Sequence, residues 1–151
     1  MPAIQKDTLT RRLYANDASI YEEIPKGVAF PENTRDVQRL VEQSKKDGFT
    51  ITARSAGTSL AGQTTGNGAV MDVSRYMNRI LSIDAEEAVA SVQPGVIRDT
   101  LNREVSAHRL LFGPDTATTN RCMLGGMIGN NSCGSFSIKY KTTREHILEV
   151  E

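Results

Sequence analysis

One stretch near the N-terminus constrains the fold more than any other. It begins with an apolar run at Val28–Phe30 that Pro31 stops. A helix follows: Thr34 can cap its start, and Gly48 can end it. Its helical spacing is carried by Val37, Leu40, Val41 and Ser44. A short β run at Ile51–Arg54 completes a strand–helix–strand unit of the kind that builds parallel sheets. The sequence therefore predicts that a βαβ unit opens the fold.

The rest of the chain alternates between helical and extended patterns. The predicted elements are a weak helix at Asp7–Asn16, strands at Ala69–Val73, Arg79–Ile83 and Val89–Gln93, a hairpin turn at Asp84–Glu87, a helix through Ile97, Leu101 and Val105, and extended pieces at Leu110–Phe112 and at Ile147, Leu148 and Val150. We therefore predict an α/β (α+β) fold. A βαβ subdomain with a small parallel sheet is followed by part of a second, mixed-sheet subdomain.

Composition and charge exclude several classes of protein. Lys plus Arg and Asp plus Glu each number 18, and the charges alternate along the chain, so no surface for nucleic acid is predicted. No apolar stretch approaches the roughly 20 residues of a membrane-spanning helix. The polar N-terminus lacks a secretory signal, so we expect a cytoplasmic protein, with peripheral membrane association of a longer parent left open. Two cysteines are too few for a structural zinc site, and no metal is predicted.

A first tract of small residues, Ser55–Gly68, follows directly after a predicted strand. Ligands bind α/β sheets at the carboxyl ends of parallel strands, and successive backbone N–H groups in such a loop can form a concave nest for phosphate or pyrophosphate. Ser55, Thr58 and Ser59 add hydroxyl donors. The tract has neither the lysine of a Walker A loop nor the glycine spacing of a Rossmann fingerprint, which disfavours ATP and NAD. An ordinary glycine-rich surface turn is the alternative.

A second tract of small residues extends from Gly113 to Gly134. Three glycines in it, Gly125, Gly126 and Gly129, would allow the backbone to approach a flat ligand closely. Donors and acceptors for the edge of that ligand are offered by Asn130, Asn131 and Ser132. The alternative is a junction between a loop and a helix in which Asn and Ser only cap the backbone. Cys133 in this tract is predicted to be a small buried residue, and both histidines are interpreted as structural.

An ordered series of motifs connects these tracts. They are Phe30-Pro31, RSAGTSLAGQ at 54–63, the segment Met71–Asn78, Val92–Val96, Phe112–Asp115, LGGMIGNNSCG at 124–134 and Lys139-Tyr140. In this order they resemble the PCMH-type FAD-binding domain of the vanillyl-alcohol oxidase / p-cresol methylhydroxylase family. The branch most similar to this sequence contains the FAD-linked dehydrogenases of D-lactate, glycolate and 2-hydroxyglutarate, whose large members carry a C-terminal iron–sulfur domain. The resemblance implies a lead-in at 1–26 and an FAD-binding domain at 27–151 that is incomplete at its C-terminus.

The resemblance also implies which residues bind FAD. In the family the first loop contacts the pyrophosphate, which carries over to Ser55, Ala56, Gly57, Thr58 and Ser59, flanked by Arg54 and Gln63. The second tract lines the flavin and its ribityl chain, which carries over to Pro114, Asp115, Thr118, Thr119, Gly125, Gly126, Gly129, Asn130, Asn131 and Ser132. Relatives with histidyl-linked flavin have His where Thr58 stands. We therefore expect noncovalent FAD.

In such a parent enzyme a 2-hydroxy acid transfers a hydride to FAD, and the electrons leave to a quinone, a carrier protein or an iron–sulfur centre. No catalytic residue is predicted in this chain, because by resemblance the substrate site and any iron–sulfur ligands lie beyond Glu151. The chain alone is expected to be inactive, to hold FAD weakly or not at all, and to self-associate through its open sheet. The alternatives are a nonenzymatic nucleotide- or ligand-binding module and a truncated piece without independent activity.

Overall fold

A computed structural model of the protein describes residues 3–151. The chain divides into two compact units, the first ending at Met77 and the second beginning at Asn78. The first unit contains α1 (Thr8–Leu13), β1 (Gly27–Ala29), α2 (Thr34–Asp47), β2 (Ile51–Arg54) and β3 (Ala69–Asp72). The second contains β4 (Ile80–Asp84), β5 (Val89–Val92), α3 (Arg98–Ser106), α4 (Leu124–Gly129), α5 (Ser137–Tyr140) and a 3-10 helix (Thr143–His146).

A three-stranded parallel sheet forms the centre of the first unit. Its strand order is β1–β3–β2, with Val70 paired to Val28 on one side and to Thr52 on the other. The predicted strand–helix–strand unit is present, but its two strands are not neighbours, because β3 lies between them. Every residue of β3 is buried, as expected for a central parallel strand. Leu40 of α2 packs with Met71 of β3 in the core of this unit.

Helix α2 follows the prediction closely. Its N-cap is Asn33, one residue before the predicted Thr34, because the extended backbone of Asn33 lets its side chain accept a hydrogen bond from the Asp36 N–H at 3.1 Å. Gly48 ends the helix in the left-handed conformation, with φ of +70°. On the periodic face Leu40 is fully buried, whereas Val41 stays 38% exposed. The helix therefore rests on the sheet along a narrow stripe.

The connection from β2 to β3 contains no helix. Because the two strands are parallel neighbours, residues 55–68 must return from the carboxyl end of β2 to the amino end of β3. This return lies directly against β2: a Cβ atom on Gly66 would collide with Oγ1 of Thr52, and one on Gly68 with the carbonyl of Thr50. Part of the glycine content of the first tract is thus required by packing.

The second unit begins with the predicted hairpin. Strands β4 and β5 pair antiparallel, with Ile80 opposite Val92 and Asp84 opposite Val89, and one register shift lies between Ile80 and Ser82. Helix α3, predicted from its apolar spacing, packs Leu101 and Val105 with Val96 and Leu124. Partly buried side chains of the hairpin cover this core.

Two extended pieces expected from the sequence are not strands. Residues 110–112 form a loop, and the C-terminal alternation is irregular after the 3-10 helix ends at His146. The prediction of β structure there is wrong because an apolar alternation forms a strand only beside a partner strand. Leu148 is 81% exposed and Val150 is 63% exposed. Within residues 3–151, no helix is long and apolar enough to cross a membrane.

Candidate functional site

Strand β2 leads directly into the first small-residue loop at the carboxyl edge of the parallel sheet. Residues 55–59 are all partly exposed. Within residues 3–151, the backbone N–H groups of residues 55–58 donate to no protein acceptor. Gly57 adopts φ of +65°, the left-handed conformation that lets consecutive N–H groups line a concavity. The loop therefore presents a row of donors to solvent at the position where parallel sheets bind ligands.

Arg54 lies beside this row of donors. Its Nη1 donates to the carbonyl of Asn16 at 2.7 Å, and its guanidinium lies 5.2 Å from the ring centroid of Tyr14. A Cβ on Gly57 would come within 2.6 Å of Nη2 of Arg54. Within residues 3–151, Arg54 forms no ion pair. Arg54 instead brings a positive charge against the backbone of the loop.

The far half of the loop is ordered by the protein itself. Oδ2 of Asp17 accepts from the backbone N–H of Thr64 at 3.3 Å and from its hydroxyl at 3.2 Å, while Oδ1 accepts from the Ser19 N–H at 2.8 Å. Burial alone would raise the pKa of Asp17, but the hydrogen bonds from Ser19 and Thr64 outweigh it and lower that pKa. The hydroxyl of Ser59 donates to Oε1 of Gln63 at 2.8 Å. Two of the predicted site residues, Ser59 and Gln63, thus close a turn.

A buried carboxylate lies at the end of β3. Asp72 is 4% exposed and accepts from the hydroxyl of Tyr14 at 2.5 Å and from the Ser74 N–H at 2.7 Å. Burial, followed by the bond to Asp72, raises the pKa of Tyr14 well above its ordinary value. Tyr14 also packs edge-on against Phe30, with the ring centroids 5.7 Å apart. The N-terminal residues therefore contact the carboxyl ends of all three strands.

In the second unit, the residues predicted around the start of the second tract gather about one side chain, Arg98, which is only 8% exposed. Its Nε donates to the Pro114 carbonyl at 3.0 Å, and its Nη1 to Oδ1 of Asp115 at 3.0 Å and to the Thr119 hydroxyl at 3.2 Å. The same Nη1 lies 3.0 Å from Oδ1 of Asp99. Sequence reasoning missed Arg98, because nothing local distinguishes it from any other arginine at the start of a helix.

Thr119 also donates a short hydrogen bond to Asp99. This bond, opposed by partial burial and supported by Arg98, lowers the pKa of Asp99. Thr118 contributes its carbonyl, which accepts from the backbone N–H of Cys122 at 2.7 Å. Residues 114–119 are thus held by hydrogen bonds within the unit.

The glycines of the second tract differ in whether close packing requires them. Gly125 donates its N–H to the Pro94 carbonyl at 2.8 Å, and a Cβ there would come within 2.6 Å of the Pro94 ring. Gly113 and Gly134 permit similar close approaches to Tyr140 and Asp115. In contrast, Gly126 is exposed, and a Cβ on Gly129 would meet nothing within 4 Å. Close packing therefore explains why Gly113, Gly125 and Gly134 lack a side chain. It does not explain Gly129.

The polar residues after α4 hold the C-terminal segment. Oδ1 of Asn131 accepts from the Arg144 N–H at 3.0 Å, and the Ser132 carbonyl accepts from the N–H and the hydroxyl of Thr143 at 2.9 and 2.7 Å. The neighbouring Asn130 is exposed. Cys133 is also exposed, so the prediction of its burial is wrong: the close packing at this point is made by the neighbouring Gly134 against the Asp115 backbone.

Comparisons with known proteins give consistent matches. A family model described as an FAD binding domain matches residues 25–151. The D-2-hydroxyglutarate dehydrogenase of Pseudomonas putida is 39% identical over 150 residues, which are 97% of this chain and 15% of that protein. Glycolate oxidase subunit GlcD of Bacillus subtilis is 35% identical over 144 residues, which are 93% of this chain and 30% of that protein. The chain thus spans less than a third of the length of either relative.

Solved structures share the fold. An alkyldihydroxyacetonephosphate synthase matches with a TM-score of 0.83 at 22% identity, covering 94% of this chain and 29% of that one. The 6-hydroxy-D-nicotine oxidase of Arthrobacter nicotinovorans matches with a TM-score of 0.77 at 26% identity, covering 93% of this chain and 30% of that one.

Arg98 provides a test of how the second tract is held. Replacing it in Arg98→Met leaves Asp115 without its ion-pair partner and the buried Pro114 carbonyl without its donor, so we expect the free energy of unfolding to fall by about 3–5 kcal/mol. Arg103→Met, which removes an exposed arginine from the same helix, should cost less than about 1 kcal/mol. Urea unfolding followed by circular dichroism measures both. Equal stability of the two variants would contradict the assigned role of Arg98.

Proposed function

The chain belongs to the FAD binding domain family, and from this membership we propose that it is the FAD-binding portion of a flavin-dependent oxidoreductase that oxidises a 2-hydroxy acid. The observation that carries the proposal is the row of backbone N–H groups at residues 55–58 that lack a protein acceptor at the carboxyl edge of the sheet. The substrate class is supported by the names of the two relatives, a D-2-hydroxyglutarate dehydrogenase and a glycolate oxidase subunit.

The first loop fits a pyrophosphate group. Backbone N–H groups bind anionic oxygens without carrying a net charge, and the hydroxyls of Ser55 and Thr58 make no hydrogen bond within residues 3–151. The guanidinium of Arg54 beside Gly57 adds the positive charge that a doubly negative group requires. We therefore assign the pyrophosphate contacts to residues 55–59.

The second tract is proposed to contact the flavin end of the cofactor. Gly126, Gly129 and Asn130 are the exposed members of the predicted set, and the open space at Gly129 admits a flat ring close to the backbone. Pro114, Asp115 and Thr119 stay proposed contacts of the cofactor, and their hydrogen bonds to Arg98 hold them in place. The remaining predicted contacts, from Thr118, Gly125, Asn131 and Ser132, are retained as part of the proposal.

When bound, FAD would accept the hydride from the substrate, and this chain would bind and orient the cofactor. Reoxidation is assigned to a quinone, a carrier protein or an iron–sulfur centre of the longer protein. The substrate site is assigned to sequence that the relatives carry outside the matched part, since the match covers 15% of one and 30% of the other. The cytoplasmic location and the domain bounds at 27–151 stay predictions.

Gly57 tests the assignment of the pyrophosphate contacts. Gly57→Val places a β-branched residue at positive φ and against Arg54, so we expect FAD affinity to fall by about tenfold or more. Gly48→Val is the matched control, since Gly48 has φ of +70°, lies before the other end of β2 and has open space around it. Titration followed by flavin fluorescence gives both dissociation constants. The assignment is wrong if FAD affinity is unchanged in Gly57→Val, or falls equally in both variants.

We expect the bound FAD to be noncovalent. The loop has Thr58 where linked relatives have His, and His146 makes a 2.6 Å contact with the Tyr140 carbonyl. Acid precipitation of the FAD-loaded chain should leave the flavin in the supernatant. Yellow colour in the pellet would contradict this expectation, and its loss in Cys133→Ser would identify the attachment point.

The chain alone is expected to bind FAD weakly and to lack dehydrogenase activity. The physical reason is that the substrate site is assigned to sequence outside this chain, so the bound flavin has no hydride donor beside it. The measurement is titration with FAD, followed by D-lactate or 2-hydroxyglutarate and a dye acceptor, with free FAD as the blank. Tight stoichiometric binding with substrate-dependent dye reduction would overturn this expectation, and absence of any FAD binding would overturn the proposed function.

A further inference from the structure

We propose that the N-terminal segment (residues 14–21) is a positioning element for the pyrophosphate loop. Asp17 and Ala18 hold residues 57–64 in the conformation that keeps the donors of residues 55–58 available to an anion. The inference rests on the proposed function and extends it to residues that touch no cofactor. The family model begins at residue 25, so the segment precedes the residues that the model matches.

The first step of the argument is the carboxylate of Asp17. One of its oxygens is fixed by the Ser19 N–H at 2.8 Å, within the segment's own turn. The other accepts both the backbone N–H and the hydroxyl of Thr64, at 3.3 and 3.2 Å and 47 residues along the chain. The bond to the Ser19 N–H fixes the orientation of the carboxylate, and Thr64 therefore donates to an acceptor that is already held in place.

The second step is the bond from Ala18 to Gly57. The Ala18 N–H donates to the Gly57 carbonyl at 3.1 Å. That carbonyl shares one planar peptide with the N–H of Thr58, and in a trans peptide the two groups point in opposite directions. Within residues 3–151 no peptide bond is cis. The bond to Ala18 therefore turns the Thr58 N–H away from the segment, on the side left open for a ligand.

The third step is the attachment of the segment to the sheet. The Asn16 carbonyl accepts from Arg54 at 2.7 Å, and the Tyr14 hydroxyl donates to Asp72 at 2.5 Å. Further along, Tyr21 packs against Gly62, where a Cβ atom would come within 2.7 Å of the ring. The segment is thus hydrogen-bonded to the carboxyl ends of β2 and β3, and these bonds hold it in place against the loop.

Ordering a loop on binding costs conformational entropy, and an element that orders it beforehand removes that cost. Weakening the segment should therefore reduce affinity for any ligand bound through its pyrophosphate, although no ligand contact is removed. A role in stability alone would instead change the melting temperature and leave affinity intact at temperatures far below it.

The experiment measures dissociation constants for FAD and for ADP, which carries the pyrophosphate without the flavin, in the 151-residue chain. In Asp17→Asn one of the two acceptor oxygens becomes an N–H₂ that faces a backbone N–H, either that of Thr64 or that of Ser19, and both constants should rise by roughly three- to tenfold. Asp7→Asn is the matched control: Asp7 caps α1 through the Thr10 N–H at 2.9 Å and makes no bond to the loop. It should leave both constants unchanged.

A double-mutant cycle adds a second readout. Thr64→Val removes the hydroxyl partner, so in the double variant the effects of Asp17→Asn and Thr64→Val should be less than additive. Hydrogen exchange of the Thr64 N–H in the unliganded chain should accelerate in Asp17→Asn. Unchanged FAD and ADP constants in Asp17→Asn, with wild-type binding intact, would overturn the inference, even if the melting temperature fell. Failure of the wild-type chain to bind either ligand would instead overturn the proposed function.

Discussion

The parallel pairing of β2 with β3 is the constraint on which the rest of the first unit depends. Two parallel neighbours oblige the chain between them to return over the length of the strand, and this chain does so without a helix. The return lies so close to β2 that Gly66 and Gly68 have no room for a side chain. The other end of the same connection, at residues 55–58, makes no such contact and keeps its N–H groups unpaired within the described chain. One loop therefore divides into a packed half and a donor half.

Much of the fold could be predicted from local patterns. The resemblance to FAD-linked oxidases and the fold class are confirmed by the family match and the shared fold. Strand β2 has the predicted bounds, and α2 differs only in its cap, because spacing of apolar residues and Gly48 act over a few positions. The order of strands was not predictable in the same way, since nothing within residues 28–54 reveals that β3 is inserted between β1 and β2.

The candidate sites could also be predicted only in part, where local sequence patterns indicate them. The small-residue tracts are visible in the sequence, but the side chains that hold them are not. Asp17 accepts a hydrogen bond from Thr64, 47 residues along the chain, and Arg98 donates to residues 16 to 21 positions later. No pattern in the neighbouring sequence therefore indicates either role. The expected burial of Cys133 and strand near Val150 failed for a related reason: both were inferred from residue type, whereas burial and pairing depend on distant partners.

The position of β3 also sets the order in which the first unit can assemble. A chain synthesised only as far as Arg54 contains two strands and a helix, yet neither strand has the neighbour it pairs with in the sheet. Val28 pairs with Val70, which lies 42 residues later in the sequence. Forming this pair therefore requires the conformational entropy of the intervening chain to be lost first. Contacts of such separation slow folding. The nascent protein therefore passes through a stage in which the residues of β1, α2 and β2 are all present but the sheet cannot yet form.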